Sequence, residues 1–355
     1  AAEFFLVGKY RVLLTADKKT YVISFVQMIA LVVSTTLSVV LIKLGFSILV
    51  VKLASALVYL GRYSILSLYV HKRYIGINFH AEPDMKAISQ SKNVLVHQIG
   101  GLVIFNSPIV MLSIFCSLKD VSVYTIYAMI FSAVSSLLGS FSNGMQSFFG
   151  ESLVKESIEH TRVIFRKYET FYFAVESWLY AMVVLLIVPF LKIYTANMTD
   201  ADYIRPEIAL LFIAMGIATE LRKPYFQLME ASGHYKQTQR QLIVEVILRL
   251  VFSFVCTLLF GMKGVLIGGI VSFSYRAIAL TIYANKHILK QISFFSFIKC
   301  ALMFFVALGS VWLIQLKFVE ISNLFSLFCS ACLYAMLLAI PIAIISVGMM
   351  RRIKL

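Results

Sequence analysis

Runs of about 20 mostly apolar residues, the length a helix needs to cross the hydrocarbon core of a bilayer, recur along nearly the whole chain. They lie near 21–42, 46–70, 93–117, 122–149, 170–194, 206–228, 242–261, 264–285, 294–315 and 321–349, joined by short connections. Of the 355 residues, 60% are hydrophobic and only 14% charged, with a mean hydropathy of +0.89. A water-soluble chain of that length needs more charge to cover its outside. The fold class that follows is an all-α polytopic membrane protein with about ten transmembrane helices.

The placement of Lys and Arg orients these helices. If the connection before the first run is inside, inner segments carry 21 basic residues, in clusters such as Lys9, Arg11, Lys18 and Lys19, or Lys155, Arg162, Arg166 and Lys167. The outer turns carry 6, namely Lys43, Lys119, Lys192, Arg205, Lys263 and Lys317. The bias recurs at every second connection, so it supports both the helix count and cytoplasmic placement of both observed ends. It also accounts for the formal charge of +15 without nucleic acid as a partner. The chain opens on Ala1 rather than Met, residues 1–6 read as the tail of an earlier apolar segment, and 7–20 read as an inner loop. Further helices are therefore expected upstream. The longest polar connections, 71–92, 150–169 and 229–241, fall inside. Within 151–168, charges mix with apolar residues, which fits either an amphipathic helix on the inner leaflet or a solvated helical extension.

Motifs for covalent chemistry are absent. No Walker glycine loop, HExxH or GxSxG occurs, and the six histidines lack ligand spacing. Asp200-x-Asp202 resembles a metal-binding DxD but sits in the short outer turn 195–205, where a solvated turn is the better reading. All five cysteines fall in apolar runs, as packing residues do, and the Cys329-x-x-Cys332 spacing needs nothing beyond helical repeat. No metal, cofactor or catalytic residue is expected, and the chain is not read as an enzyme.

The unusual residues are charges at bilayer depth, which cost roughly 2.5–3.5 kcal/mol each on insertion scales and so face a wet cavity or a partner. They are Lys52, Arg62, Arg249, Arg276 and Lys299, against Glu176, Glu220 and Glu245. Glu245 and Arg249, at i and i+4, can neutralise each other. Lys299 can snorkel to the inner surface, and Glu220, Arg222 and Lys223 lie close to a helix end. Arg62 and Arg276 have no same-helix acid within a turn. A cavity with this cationic bias suits an anion, because arginine grips phosphate oxygens bidentately. Pro108, Pro189, Pro224 and Pro341 lie where transporter helices break, and Gly264 and Gly268 allow close helix approach. Tyr124 and Tyr127 fit either sugar stacking or an interfacial aromatic belt.

Several stretches resemble a known family: GKYRVLLTADKKTYV at 8–22, SVYTIYAMI at 122–130, FFGESLVKE at 148–156, VPFLKIYTANMTDADYI at 188–204, LRKPYFQLMEASGHYKQTQ at 221–239 and FGMKGVLIGGIVSFSYR at 260–276. In order and spacing they are similar to the polysaccharide-exporting Wzx-type O-antigen and capsule flippases of the multidrug/oligosaccharidyl-lipid/polysaccharide (MOP) superfamily. The resemblance implies an N-terminally truncated, MATE-like two-bundle transporter. Residues 1–92 would then be the end of a first six-helix bundle, 93–290 the second bundle and 291–355 an appended helix pair. The departure is Asn106-Ser107-Pro108, where relatives carry an acidic residue and this chain has Pro108. Arg222 and Arg276 stand where the family usually has them, whereas Arg249 stands where a neutral amide is expected.

The implied function is transport of undecaprenyl-pyrophosphate-linked oligosaccharide units across the bacterial inner membrane by alternating access, for O-antigen, capsule or exopolysaccharide synthesis. Arg62, Arg249 and Arg276, with Lys52 and Arg222, would hold the pyrophosphate, and Glu176 or Glu245 would couple the cycle to an ion. Partners would be the bilayer, the polyprenyl-linked glycan, and the polymerase and glycosyltransferases of the pathway. The alternatives are a MATE-like cation/drug antiporter and a polysaccharide polymerase or ligase; the latter usually needs a large outer loop.

Overall fold

A computed structural model describes residues 2–17, 19–74, 91–142, 144–291, 295–315, 323–351 and 353. Most of the 71–92 connection and the basic residues Lys18, Lys86, Lys317, Arg352 and Lys354 lie outside the described residues. Among the described residues there is no strand, and nine helical segments are long and apolar enough to cross a membrane. Their outward faces carry large apolar side chains such as Leu57, Ile114, Phe305, Phe325 and Met336, as lipid contact requires. The chain is a multi-pass membrane protein.

It packs as two compact units, residues 1–85 and 86–355. The first contains α1 (Ala2–Ala16), α2 (Thr20–Lys43) and α3 (Ile48–Arg73). Residues 7–16, expected as a loop, are instead helical. Tyr10 and Leu14, one turn apart, are buried in a small core with Val22, Ile23, Val26, Leu66 and Val70, and that burial holds the segment in a helix. The Tyr10 hydroxyl lies 3.0 Å from Ser67 Oγ. The α1–α2 corner is closed by Asp17, which accepts from Tyr74 and pairs with Lys19 at 2.5 Å.

The second unit runs α4 (Ser91–Phe115), α5 (Leu118–Ser142), α6 (Met145–Lys155), α7 (Ile158–Tyr194), α8 (Pro206–Glu220), α9 (Lys223–Ala231), α10 (Tyr235–Phe260), α11 (Met262–Tyr283), α12 (Phe295–Gln315) and α13 (Leu324–Arg351). Segment 151–168 is resolved by a break at 156–157 between α6 and α7. Ser157 caps α7, accepting from the His160 N–H at 3.2 Å, so residues 158–168 are the first turns of a 37-residue helix. This is the helical-extension alternative. Both α12 and α13 pack against α7, and Trp178 Nε1 donates to the Ala335 carbonyl at 2.9 Å.

The run 206–228 is not one helix. It breaks after Glu220, because Pro224 has no N–H to donate to the Glu220 carbonyl and its ring would clash there. The other three prolines stay inside continuous helices. At Pro108 the carbonyl left without its donor is that of Ile104, and Ser107 Oγ reaches it at 3.4 Å.

The tightest helix pair is α10–α11. Gly261 turns the chain with φ +58°, and a Cβ on Gly264 would collide with the Cys256 and Thr257 backbone, one on Gly268 with Ser253. Small residues let these backbones touch.

Candidate functional site

The break between α8 and α9 leaves Arg222 at the start of α9, facing α10 and α11. Its Nη1 donates to Glu245 Oε1 at 2.5 Å. Glu245 Oε2 lies 3.4 Å from Arg276 Nε, at ion-pair distance though off hydrogen-bond alignment. Arg276 Nη1 also donates to the Thr238 carbonyl at 3.2 Å and to Gln241 Oε1 at 3.4 Å. One turn beyond Glu245 on α10, Arg249 is also buried. The Phe273 ring ties the group together: its centroid is 4.8 Å from the Arg222 guanidinium and 5.4 Å from that of Arg249, within cation–π range.

Three guanidinium groups therefore gather around a single carboxylate. The acid that sequence spacing pairs with Arg249 is held instead by Arg222 and Arg276, and Arg276, which lacks an acid on its own helix, takes one from α10. Exposure falls to 2% at Arg249 and 1% at Arg276. Even so, Arg249 Nε and Nη1 and Arg276 Nη2 have no hydrogen-bond partner. Desolvated, unsatisfied charged donors are costly, and an anion is the kind of partner that would satisfy them. Room for Arg249 depends on Gly269, since a Cβ there would overlap its Nη1 and come within 2.5 Å of Met215 Sδ.

The remaining expected residues are on other elements. Lys52 and Arg62 are on α3, in the first unit. Lys52 is exposed, and Arg62 is 5% exposed, with its guanidinium 5.7 Å from the Tyr59 ring centroid. Glu176 is fully buried on α7, apart from the arginines, and its electrostatic neighbour is Glu220. Glu220 accepts from Ser135 Oγ at 2.5 Å and from the Tyr172 hydroxyl at 2.7 Å. Lys299 is not snorkelling: it is 5% exposed and pairs with Glu169 at 2.7 Å, and Tyr225 donates to the same carboxylate. Sequence reasoning missed Glu169 entirely, because its partner is 130 residues away.

Tyr124 and Tyr127 are neither a sugar platform nor an interfacial belt. Both are buried against Phe212, at ring-centroid distances of 5.1 and 5.4 Å. Tyr127 donates to the Tyr203 and Arg205 carbonyls, anchoring the turn at 195–205. In that turn Asp200 accepts from Tyr203 and Asp202 accepts from the Ile204 N–H, so the DxD is turn structure. Among the described residues no group of three potential metal ligands occurs. Two clefts of about 400 and 460 Å³ open on the second unit, one against α8 and α12 and the other against α5 and α13. Their walls carry no acidic or basic side chain.

No family model matches the chain, and no curated protein matches it. Among solved structures it is similar to "Lipid II flippase MurJ, inward closed conformation", with a TM-score of 0.53 and 11% sequence identity, over 96% of this chain and 71% of that one. At that identity the likeness is one of fold. The class is a polytopic, all-helical membrane protein with the fold seen in that flippase.

Proposed function

We propose that the protein is a transporter that flips polyprenyl-pyrophosphate-linked oligosaccharides across the bacterial inner membrane, in the manner of the Wzx-type exporters it resembles. The observation that carries this reading is the trio Arg222, Arg249 and Arg276 around Glu245, with Arg249 and Arg276 buried and donors on both left unsatisfied. A pyrophosphate offers several acceptor oxygens and negative charge, which suits guanidinium donors. Without substrate, Glu245 serves as the internal counter-ion of Arg222 and Arg276; a bound diphosphate competes with it. The fold shared with a lipid II flippase supports the same class of cargo, a lipid carrying a glycan on phosphate.

In this reading residues 1–92 end a first bundle, 93–290 form a second and 291–355 are an appended pair, with both observed ends cytoplasmic. Arg62 and Lys52 are the basic residues that the first bundle offers to an anion, and Glu176 or Glu245 links the cycle to an ion gradient. Flipping makes and breaks no covalent bond, so a polymerase or glycosyltransferases would be partners rather than activities of this chain. The test is Arg276→Ala in cells that depend on the protein for a surface polysaccharide. Polysaccharide is lost while membrane levels of the protein stay unchanged; undiminished polysaccharide refutes the assignment.

The acid pair Glu176 and Glu220 is the observation that favours the second reading, a drug/cation antiporter. Efflux of an organic cation dye from cells expressing the protein separates the two.

A further inference from the structure

We infer that Glu176 and Glu220 form a proton-holding site inside the membrane, distinct from the arginine cluster, in which Glu176 is the acid that carries the proton and Glu220 the neighbouring carboxyl group held by hydroxyl donors.

The two carboxyl groups have opposite surroundings. Glu220, 1% exposed, accepts one O–H from Ser135 on α5 at 2.5 Å and another from Tyr172 on α7 at 2.7 Å. Each of its two oxygens thus has a hydroxyl donor, so the group is satisfied as an acceptor. Glu176 is 0% exposed, and neither of its oxygens has a hydrogen-bond partner. An ionised carboxylate so placed would have given up water for nothing, a state that proteins avoid by neutralising the group. No Lys or Arg pairs with Glu176 or Glu220 among the described residues.

Helical spacing brings the pair together. Tyr172, Glu176 and Tyr180 stand at i, i+4 and i+8 on α7, so they share one face. Tyr172 on that face already reaches Glu220, and Glu220 acts electrostatically on both Glu176 and Tyr180. The Tyr180 hydroxyl is a buried donor without a partner, which would satisfy a carboxylate on this face once the proton leaves. Close approach of α8 to α7 depends on Gly216, where a Cβ would overlap Tyr180 and Phe131. From α12 the titratable group facing Glu176 is Cys300, which also senses Glu169; Glu169 is occupied by Lys299 and Tyr225. No ionisable group of α5, α6, α9 or α13 acts on Glu176 among the described residues.

The step is a simple proton transfer: Glu176–COOH releases a proton to water when the helices part, leaving a carboxylate whose negative charge joins that of Glu220. Like charges at close range repel, so deprotonation pushes α7 and α8 apart and reprotonation lets them close. This names the ion of the transporter reading as a proton; the site's existence does not depend on what the cargo is.

The test is infrared spectroscopy of the purified full chain in lipid nanodiscs at neutral pH, with Glu230→Gln present throughout to remove that acid's own band, comparing the otherwise wild-type chain with Glu176→Gln and Glu220→Gln. A carbonyl stretch from a protonated carboxylic acid is expected in wild type and lost in Glu176→Gln, a near-isosteric change whose thermal melting controls for folding. It should persist in Glu220→Gln. No such band in wild type, or an unchanged band in Glu176→Gln, overturns the proposal. Disappearance of the band on adding NaCl but not KCl also overturns it, assigning the pair to sodium instead. In proteoliposomes, Glu176→Gln abolishes dependence of transport on an imposed pH gradient; a Glu176→Gln protein that keeps this dependence also refutes the site. Loss of the gradient dependence with retained binding of inorganic pyrophosphate supports the site independently of the anion cradle.

Discussion

Glu245 and Arg222 meet at 2.5 Å across the gap left by a broken helix, although 23 residues separate them in the chain. The same carboxylate serves Arg276, so it neutralises two cations from two other elements. Removing that shared carboxylate strands both arginines. Glu245→Ala should therefore destabilise the fold by about 3–5 kcal/mol, read as a lowered melting temperature in detergent. Glu245→Gln keeps the shape while releasing the arginines, so binding of inorganic pyrophosphate should strengthen relative to wild type in a titration; weaker binding would count against the competing counter-ion role.

Gly269 makes room for Arg249. Gly269→Ala forces a methyl group into the Arg249 guanidinium and Met215, an overpacking expected to cost about 1–3 kcal/mol. Surface polysaccharide should fall more than it does for Gly139→Ala, where a Cβ meets nothing. Equal effects of the two variants would contradict the packing.

On the connection 229–241, burial pushes the Glu230 carboxyl up to about 7, with Lys223 pulling the other way. The folded protein therefore binds a proton there that the unfolded chain has released, and stability falls as pH rises from about 4.5 to about 7. Thermal melting across that range should show the decline, and Glu230→Gln should flatten it. A slope unchanged by Glu230→Gln would trace the effect to other groups.

The distribution of basic residues predicts opposite faces for two connections. In a functional variant lacking the native cysteines, a cysteine at Asn197 should react with a membrane-impermeant maleimide in intact cells. One at Lys236 should react only after permeabilisation, and labelling of both positions in intact cells would overturn the orientation.

Nearly all of the spanning helices were legible as apolar runs, because lipid imposes the same requirement along the whole length of each. The interruption at Leu221 and Arg222 was not, since two residues vanish within an apolar average. Proline alone does not mark it either: Pro108 is bridged by Ser107 and Pro224 is not. Within the site, residue types were legible but pairings were not. The i, i+4 rule offered Glu245 to Arg249, yet guanidinium groups arriving from α9 and α11 took it. Likewise Lys299 looked able to reach the surface because Glu169, far away in sequence, was invisible as its partner. The first helix was misjudged for a related reason: Tyr10 and Leu14 are buried by α2 and α3, which local composition does not disclose.

The glycine contacts between α10 and α11 restrict what any conformational cycle can change. Two backbones separated by nothing larger than a hydrogen atom cannot slip past one another by even a single residue, so the hairpin must travel as a rigid paddle. Glu245, Arg249 and Arg276 are all mounted on it and keep their mutual spacing wherever it goes. Arg222, mounted off that hairpin at the start of α9, is the member of the quartet free to let go.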